Sequence, residues 1–152
     1  MNVFVTVGTT SFDELIKNVD DIIIKLDGFN FVFQIAQGKY KPKNADYFEF
    51  SSNIDEFYND ADLIITHAGA GSIYRLLELN KKIIVVPNME RVDKHQSDIS
   101  TYMTDNHHAL LLSDFKSTAD IISKAYDFVP VPFVKTPFFV KDEIVNFIKD
   151  SI

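Results

Sequence analysis

Short apolar runs alternate with longer amphipathic stretches along this chain. Six runs rich in β-branched and aromatic residues are typical of buried strands, at 3–7, 31–36, 47–50, 62–66, 83–86 and 109–112. Between them, apolar residues recur at helical spacing, at 12–26, 54–59, 73–79, 93–106 and 117–126. Strands and helices that alternate at these lengths predict an α/β domain with a single Rossmann-like parallel sheet and helices on both faces.

The last part of the chain follows a different pattern. Residues 127–139 contain three prolines, which preclude a regular helix, and are too apolar for a free linker. Residues 140–152 predict a helix with apolar residues on one face. This proline-containing tail and helix are expected to pack either on the chain's own sheet or against a partner.

Length and composition narrow the classes of function. A chain of 152 residues is expected to form one domain, 1–152, with 127–152 as its tail. The net charge of −7 predicts no nucleic-acid partner. The absence of cysteine excludes disulfides and suits a reducing compartment. No basic leader and no long apolar run are present, so neither a signal peptide nor a transmembrane helix is expected. The expected location is the cytoplasm.

The segment HAGAGS at 67–72 lies between a predicted strand and a predicted helix. Free backbone N–H groups at such a helix N-terminus form a ready anion site, suited to phosphate. Ser72 can add a hydroxyl donor or cap the helix. Strand-to-helix turns also need glycine for steric reasons alone, so the local pattern leaves a phosphate site and a purely structural turn both open.

Other glycine motifs fit this segment poorly. Tyr74 stands where a dinucleotide fingerprint needs its third glycine, and no Gly-Lys-Ser/Thr follows as in a P-loop. A nucleophile elbow would need other glycine positions around Ser72. Glu78 lies two helical turns beyond Gly71 on the same side of the helix, where a carboxylate can accept from vicinal ribose hydroxyls. Phosphate and ribose together indicate a nucleotide.

Several candidate residues directly follow predicted strands. Gly8, Phe50, His67 and Pro87 each come just after a strand end. Ligands of parallel sheets gather at the carboxyl ends of the strands, so these residues are expected to converge on one edge. His67 and His95 could hydrogen-bond a phosphate or a sugar there. The histidine spacing does not favour a zinc site, and no metal is expected.

Several motifs in order resemble the donor-binding half of GT-B glycosyltransferases, especially small family 28-like members that form one part of a two-part UDP-sugar transferase. They are VTVGTT at 5–10, HAGAGS at 67–72, Glu78, and D-x-H-Q at 93–96. The resemblance implies that the diphosphate is contacted by Gly8, Thr9 and Thr10 and by the segment Gly69, Ala70, Gly71 and Ser72. It implies that Phe50 and Ser51 contact the base and that Glu78 contacts the ribose. The sugar would be contacted by Asp93, His95 and Gln96.

The resemblance also implies a function. The expected enzyme moves a sugar from a UDP-sugar to a lipid-linked acceptor in surface polysaccharide or glycan synthesis. It acts with a membrane-associated subunit that binds the acceptor, and is peripheral at the membrane through that partner. No cofactor is implied. His95 and Asp93 are candidate catalytic residues, although the base could equally lie in the missing half.

Two other functions stay open from the sequence. The domain could be a nucleotide-binding module without enzymatic activity, which would have no need of the sugar-facing residues at 93–96. It could also be a self-sufficient UDP-sugar epimerase or hydrolase.

Overall fold

The computed structural model describes residues 1–88 and 94–135, and only the backbone at 94–96. In this part of the chain, six strands alternate with helices except between β2 and β3, which a loop connects. The strands are β1 (Asn2–Thr6), β2 (Asn30–Gln34), β3 (Asp46–Phe48), β4 (Leu63–His67), β5 (Lys82–Val86) and β6 (Leu110–Leu111); the helices are α1 (Asp13–Ile23), α2 (Ile54–Asp60), α3 (Ala70–Glu78), α4 (Lys94–Asp105) and α5 (Thr118–Lys124).

All the strands join one parallel sheet in the order β3-β2-β1-β4-β5-β6. The predicted α/β class and parallel sheet are therefore confirmed. The order reverses between β1 and β4, since the chain winds outward to β3 and then returns to the middle of the sheet. Thr6, the last residue of β1, lies beside Gln34 of β2 on one side and Thr66 of β4 on the other.

The strands are continuous apolar runs because helices cover both faces of the sheet. On one face, Val5 and Ile65 pack with Leu15 of α1 and Ile122 of α5. The other face carries α2, α3 and α4, with a core that includes Phe4, Tyr58, Ile64, Leu76 and Met103. Two hydrophobic clusters thus hold the sheet between two helical layers.

Element bounds differ from the sequence prediction by three residues at one end of α3 and of α1. Helix α3 begins at Ala70, whereas the pattern predicted a start near Ile73. The low helix propensity of glycine made Gly71 look like part of a turn, but the first turn of a helix tolerates it. The prediction for α1 was three residues too long at its end, because the helix closes at Ile23.

The described part of the proline-containing tail lies on the chain's own body. The Val131 N–H donates to the His107 carbonyl at 2.9 Å, and the Val131 carbonyl is 2.7 Å from His108 Nδ1. Phe133 packs edge-on against the His108 ring. The tail thus crosses the ends of α3 and α4 up to Lys135. The predicted helix 140–152 lies outside the described residues.

Candidate functional site

A crevice opens where the strand order reverses. The connection after β1 leads to α1 on one face of the sheet, and the connection after β4 leads to α3 on the other. Loops that diverge in this way leave space between the carboxyl ends of the two strands, which is where open α/β sheets bind their ligands. The Gly8 loop and the HAGAGS segment form the two sides of this crevice.

Gly8 and His67 meet across the crevice. Gly8 has a φ of +62°, and a Cβ placed on it would lie 3.1 Å from His67 Cε1 and 3.6 Å from Ser72 Oγ. A side chain there would therefore be strained by the backbone and crowded by the imidazole. Gly8 lets the first loop approach the start of α3 closely, and Thr9 and Thr10 follow it along the same edge.

The start of α3 provides unpaired backbone donors. Gly69 is its N-cap, and the first bond of the helical type runs from the Ile73 N–H to the Gly69 carbonyl at 3.1 Å. The N–H groups of Ala70, Gly71 and Ser72 precede that bond and have no acceptor in the helix. Ala70 and Gly71 are exposed. The helix therefore presents three donors and its positive end to the crevice.

The glycines at 69 and 71 differ in their surroundings. A Cβ on Gly69 would collide with the His67 ring, so packing alone requires glycine there. A Cβ on Gly71 would meet no described atom within 4 Å. Packing therefore explains Gly69, whereas the space beside Gly71 is open at the end of the helix that favours an anion.

His67 lies at the end of β4 as a largely buried imidazole. Burial lowers its pKa below the usual 6.5, so the ring is neutral at pH 7. In the described part of the chain, two buried side-chain polar atoms lack a hydrogen-bond partner, His67 Nδ1 and Thr66 Oγ1. Both belong to the last two residues of β4, so unsatisfied polar groups concentrate at the crevice.

Gln34 links the Gly8 loop to the segment after β3. Its Nε2 donates to the Gly8 carbonyl at 2.8 Å and to the Glu49 carbonyl at 2.7 Å. Its Oε1 accepts from Thr6 Oγ1 at 2.7 Å and from the Val7 N–H at 3.2 Å. In the sequence, Gln34 is a polar residue within the apolar run 31–36, and that is the signal by which it could have been found.

Tyr58 of α2 lies near both this network and α3, and no sequence pattern pointed to it. It is buried, and its hydroxyl lies beside the hydroxyls of Thr6, in β1, and Ser72, in α3. Gly69, the N-cap of α3, makes no side-chain cap hydrogen bond, so the backbone N–H groups of the first turn are the free donors.

Phe50 and Ser51 leave the sheet after β3 at the same edge. The Ala36 N–H donates to the Glu49 carbonyl at 3.1 Å, which fixes the strand end just before them. The Phe50 side chain is 53% exposed, and Ser51 Oγ accepts from the Asn53 N–H. The structure therefore brings this pair to the crevice edge, with an aromatic ring open to solvent.

Glu78 lies at the other end of α3. Seven residues at 1.5 Å each separate it from Gly71 by about 10 Å along the helix axis. Lys135 Nζ lies 2.6 Å from its carboxylate, and that hydrogen bond and charge lower the pKa of Glu78. Glu78 shares a helix face with Gly71 but lies two turns from the phosphate donors, and its contact with a ribose stays a prediction.

The candidate sugar-facing residues follow β5. His95 and Gln96 belong to the first turn of α4, which begins at Lys94. Their backbone therefore lies on the connection that leaves the carboxyl end of β5. Asp93 lies outside the described residues, and the roles of all three residues stay predictions.

A cleft of about 430 Å³ opens beside the crevice at the carboxyl ends of β5 and β6. The cleft is lined by Phe12, which follows the Gly8 loop, and by Pro87 and Asp114, which follow β5 and β6. Glu14 and Lys116 add charged groups to the lining. This edge thus offers room beyond the glycine segments for a larger ligand.

Two further properties bear on the type of site. No helix in residues 1–88 and 94–135 has the length and apolarity needed to cross a membrane. Over the same described residues, no three metal-ligating side chains come close enough together to hold a metal ion.

Comparisons with known proteins agree with this geometry. Residues 2–129 match the glycosyltransferase family 28 C-terminal domain. The chain is 37% identical over 117 residues to the UDP-N-acetylglucosamine transferase subunit ALG13 of Mus musculus. The aligned region covers 69% of this chain and 10% of that protein.

A second relative comes from bacteria. The UDP-N-acetylglucosamine--N-acetylmuramyl-(pentapeptide) pyrophosphoryl-undecaprenol N-acetylglucosamine transferase of Phocaeicola vulgatus is 33% identical over 84 residues, or 55% of this chain and 22% of that protein. The chain thus spans between a tenth and a quarter of these two relatives.

The fold also matches a solved structure. The crystal structure of Acinetobacter baumannii MurG superposes with a TM-score of 0.70 at 19% identity, over 83% of this chain and 41% of that one. The six-stranded parallel sheet with its helices therefore has the fold of one half of a GT-B glycosyltransferase. With the family match extending over most of its length, the chain belongs to the glycosyltransferase family 28 C-terminal domain.

Proposed function

We propose that this domain binds a UDP-sugar in the crevice between β1 and β4 and is the donor-binding, catalytic part of a two-part glycosyltransferase. The observation that carries the proposal is the contact between Gly8 and His67 beside the free N–H groups of α3. Two glycine segments that close on unpaired donors suit a diphosphate. The family membership supports a glycosyl donor over other phosphate ligands.

The expected reaction is the displacement of a nucleoside diphosphate. An acceptor hydroxyl attacks the anomeric carbon, the bond from that carbon to the diphosphate oxygen breaks, and UDP leaves with the electron pair. The hydroxyl proton passes to a base, for which His95, Asp93 and a residue of the other part are candidates. The N–H groups of Ala70, Gly71 and Ser72 would stabilise the negative charge that develops on the diphosphate.

A lipid-linked acceptor and a membrane-associated partner complete the proposal. The mouse relative is named as a subunit of a UDP-N-acetylglucosamine transferase, and the name of the bacterial relative includes a pyrophosphoryl-undecaprenol acceptor. We extend both features to this chain, with the protein cytoplasmic and held at the membrane by the acceptor-binding partner. Positioning of the acceptor by that partner would supply the orientation that the reaction needs.

Calorimetry with UDP tests the donor site, with ADP and CDP as controls for the base. UDP should bind, and the three UDP-sugars carrying N-acetylglucosamine, galactose and glucose identify the preferred sugar. Failure to bind UDP and all three UDP-sugars would overturn the proposal.

Transfer assays separate the proposed function from its rivals. The purified chain should transfer sugar to a lipid-linked acceptor only when membranes containing its partner are added. Hydrolysis or epimerisation of the UDP-sugar by the chain alone would indicate a self-sufficient enzyme. UDP binding with no reaction under any of these conditions would indicate a nucleotide-binding module.

A further inference from the structure

We propose that Gln34 is a positioning residue that couples the diphosphate side of the site to its base side. The proposal rests on the proposed function, because it assigns the Gly8 loop to the diphosphate and the segment 49–51 to the base. Gln34 does not face the ligand. It acts through the backbone of two segments that belong to different connections of the sheet.

The Gln34 side chain is enclosed and uses its hydrogen-bonding capacity fully. Only 3% of the residue is exposed. Both hydrogens of its amide are donated to carbonyl oxygens, one in each segment, at 2.8 Å for Gly8 and 2.7 Å for Glu49. Its oxygen accepts from Thr6 Oγ1 and from the Val7 N–H. A side chain of similar size without an amide would leave all four groups without these bonds.

These bonds reach the ends of the two segments that the ligand would contact. Gly8 is the residue at which the first loop bends with positive φ, and Glu49 directly precedes Phe50. Backbone bonds hold β1 and β3 to β2 and continue to Val7 and Glu49, but each of them joins one segment to β2. The Gln34 amide bonds to the Gly8 and Glu49 carbonyls at once. The amide therefore fixes the position of one segment relative to the other before the ligand arrives.

Prior fixation has a measurable consequence for ligand fragments. When Gln34 is replaced by leucine, uridine must order only the segment 49–51, and pyrophosphate only the Gly8 loop. UDP must order both, so its loss of affinity should equal the product of the two fragment losses. Global destabilisation would instead lower the affinity for all three ligands by one common factor.

NMR titration of wild type and Gln34→Leu with uridine, pyrophosphate and UDP tests this directly. We expect losses of about threefold for each fragment and about tenfold for UDP. Equal losses for the three ligands, or no loss, would overturn the proposal. If wild type fails to bind any of the three, the proposed function fails.

Hydrogen exchange on the free protein tests the coupling without any ligand. In Gln34→Leu, exchange of the amides at 8–10 and at 49–51 should accelerate together while the amides of α3 stay protected. Unchanged exchange in either segment would overturn the proposal whatever the outcome with UDP. The matched control is Asp20→Asn, which removes a buried hydrogen-bonding carboxylate away from the crevice. It should leave both segments and the UDP affinity unchanged.

Discussion

Two buried polar networks in this domain differ in whether the protein satisfies them. Asp20 accepts from Tyr40 Oη at 2.7 Å, from the Lys43 N–H at 2.9 Å and from the Asn44 N–H at 3.0 Å. Burial, together with the Asp20 carboxylate, raises the pKa of Tyr40 to about 12. This network fastens the loop 38–44 to α1, and its acceptors are filled by the chain itself.

The network at the crevice is incomplete. Gln34 and Thr6 bond to each other and to the backbone, and Tyr58 lies beside Thr6 and Ser72, but β4 ends near them with two unpartnered polar atoms. The first N–H groups of α3 add further unused donors. Since buried polar groups are normally paired, the network that leaves some unpaired marks the place for a ligand. The Asp20 network, equally buried, marks only a fold requirement.

The largest expected effect is at Gly71. Gly71→Val would fill the open space beside the N–H donors of α3 and should weaken UDP binding by about a hundredfold or more. The thermal unfolding midpoint should hardly change, because no described atom lies within 4 Å of the added Cβ. Calorimetry and a melting curve measure the two quantities. Unchanged UDP affinity would show that phosphate does not approach this turn.

Asp20→Asn should give the opposite pattern. Replacing a buried carboxylate that accepts three bonds should lower the free energy of unfolding by about 2 kcal/mol. UDP affinity at a temperature where the variant is folded should not change. Urea denaturation and UDP titration of the same preparation provide the test, and a parallel loss of both quantities would remove the distinction between the networks.

Glu78→Gln tests the predicted contact between the Glu78 carboxylate and the ribose. If the carboxylate accepts from both ribose hydroxyls, the variant should bind UDP about tenfold more weakly and discriminate less against 2′-deoxy-UDP. The ion pair with Lys135 would then break on binding. Lys135→Ala is the control, and it should not weaken binding. A variant with full ribose preference would assign Glu78 to the pairing with the tail alone.

Tyr58→Phe removes one hydroxyl from the incomplete network. Its loss should cost about 1 kcal/mol of stability, since the hydroxyls of Thr6 and Ser72 lose a polar neighbour. UDP affinity should fall about threefold, because Ser72 belongs to the phosphate turn. Urea denaturation and calorimetry measure the two effects. An affinity that stays at the wild-type value would confine Tyr58 to the core.

The smallest effect concerns the protonation of His67. Because burial lowers its pKa in the folded protein, the unfolded chain binds more protons below pH 6.5, and stability should fall as the pH drops through that value. Affinity for a UDP-sugar should instead rise over the same range, since a diphosphate favours the imidazolium. A UDP-sugar is the suitable probe because its diphosphate does not titrate there.

His67→Gln is the variant that isolates this histidine. It should flatten the rise in UDP-sugar affinity and remove the matching part of the change in stability. Persistence of both pH dependences in the variant would assign them to other groups.

Part of the site followed from local sequence rules and part did not. The segment HAGAGS predicted a helix start with free donors because glycines between a strand and a helix have that effect wherever they occur. The same residues were misread at Gly71 and Ser72, since propensity favours a turn there while packing of Ile73 and Leu76 on the sheet extends the helix to Ala70. Thr6 and Tyr58 carried no local signal at all.

The sequence by itself determined the parallel sheet, its two helical layers and the edge at which the candidate residues gather. Period and length of the apolar runs specify these features locally, and parallel strands bring all carboxyl ends to one side. Only the tertiary structure decided which residues meet: Gly8 against His67, Gln34 between Gly8 and Glu49, and Glu78 beside Lys135. Such contacts join residues far apart in the chain, and their distances depend on the packing of whole elements.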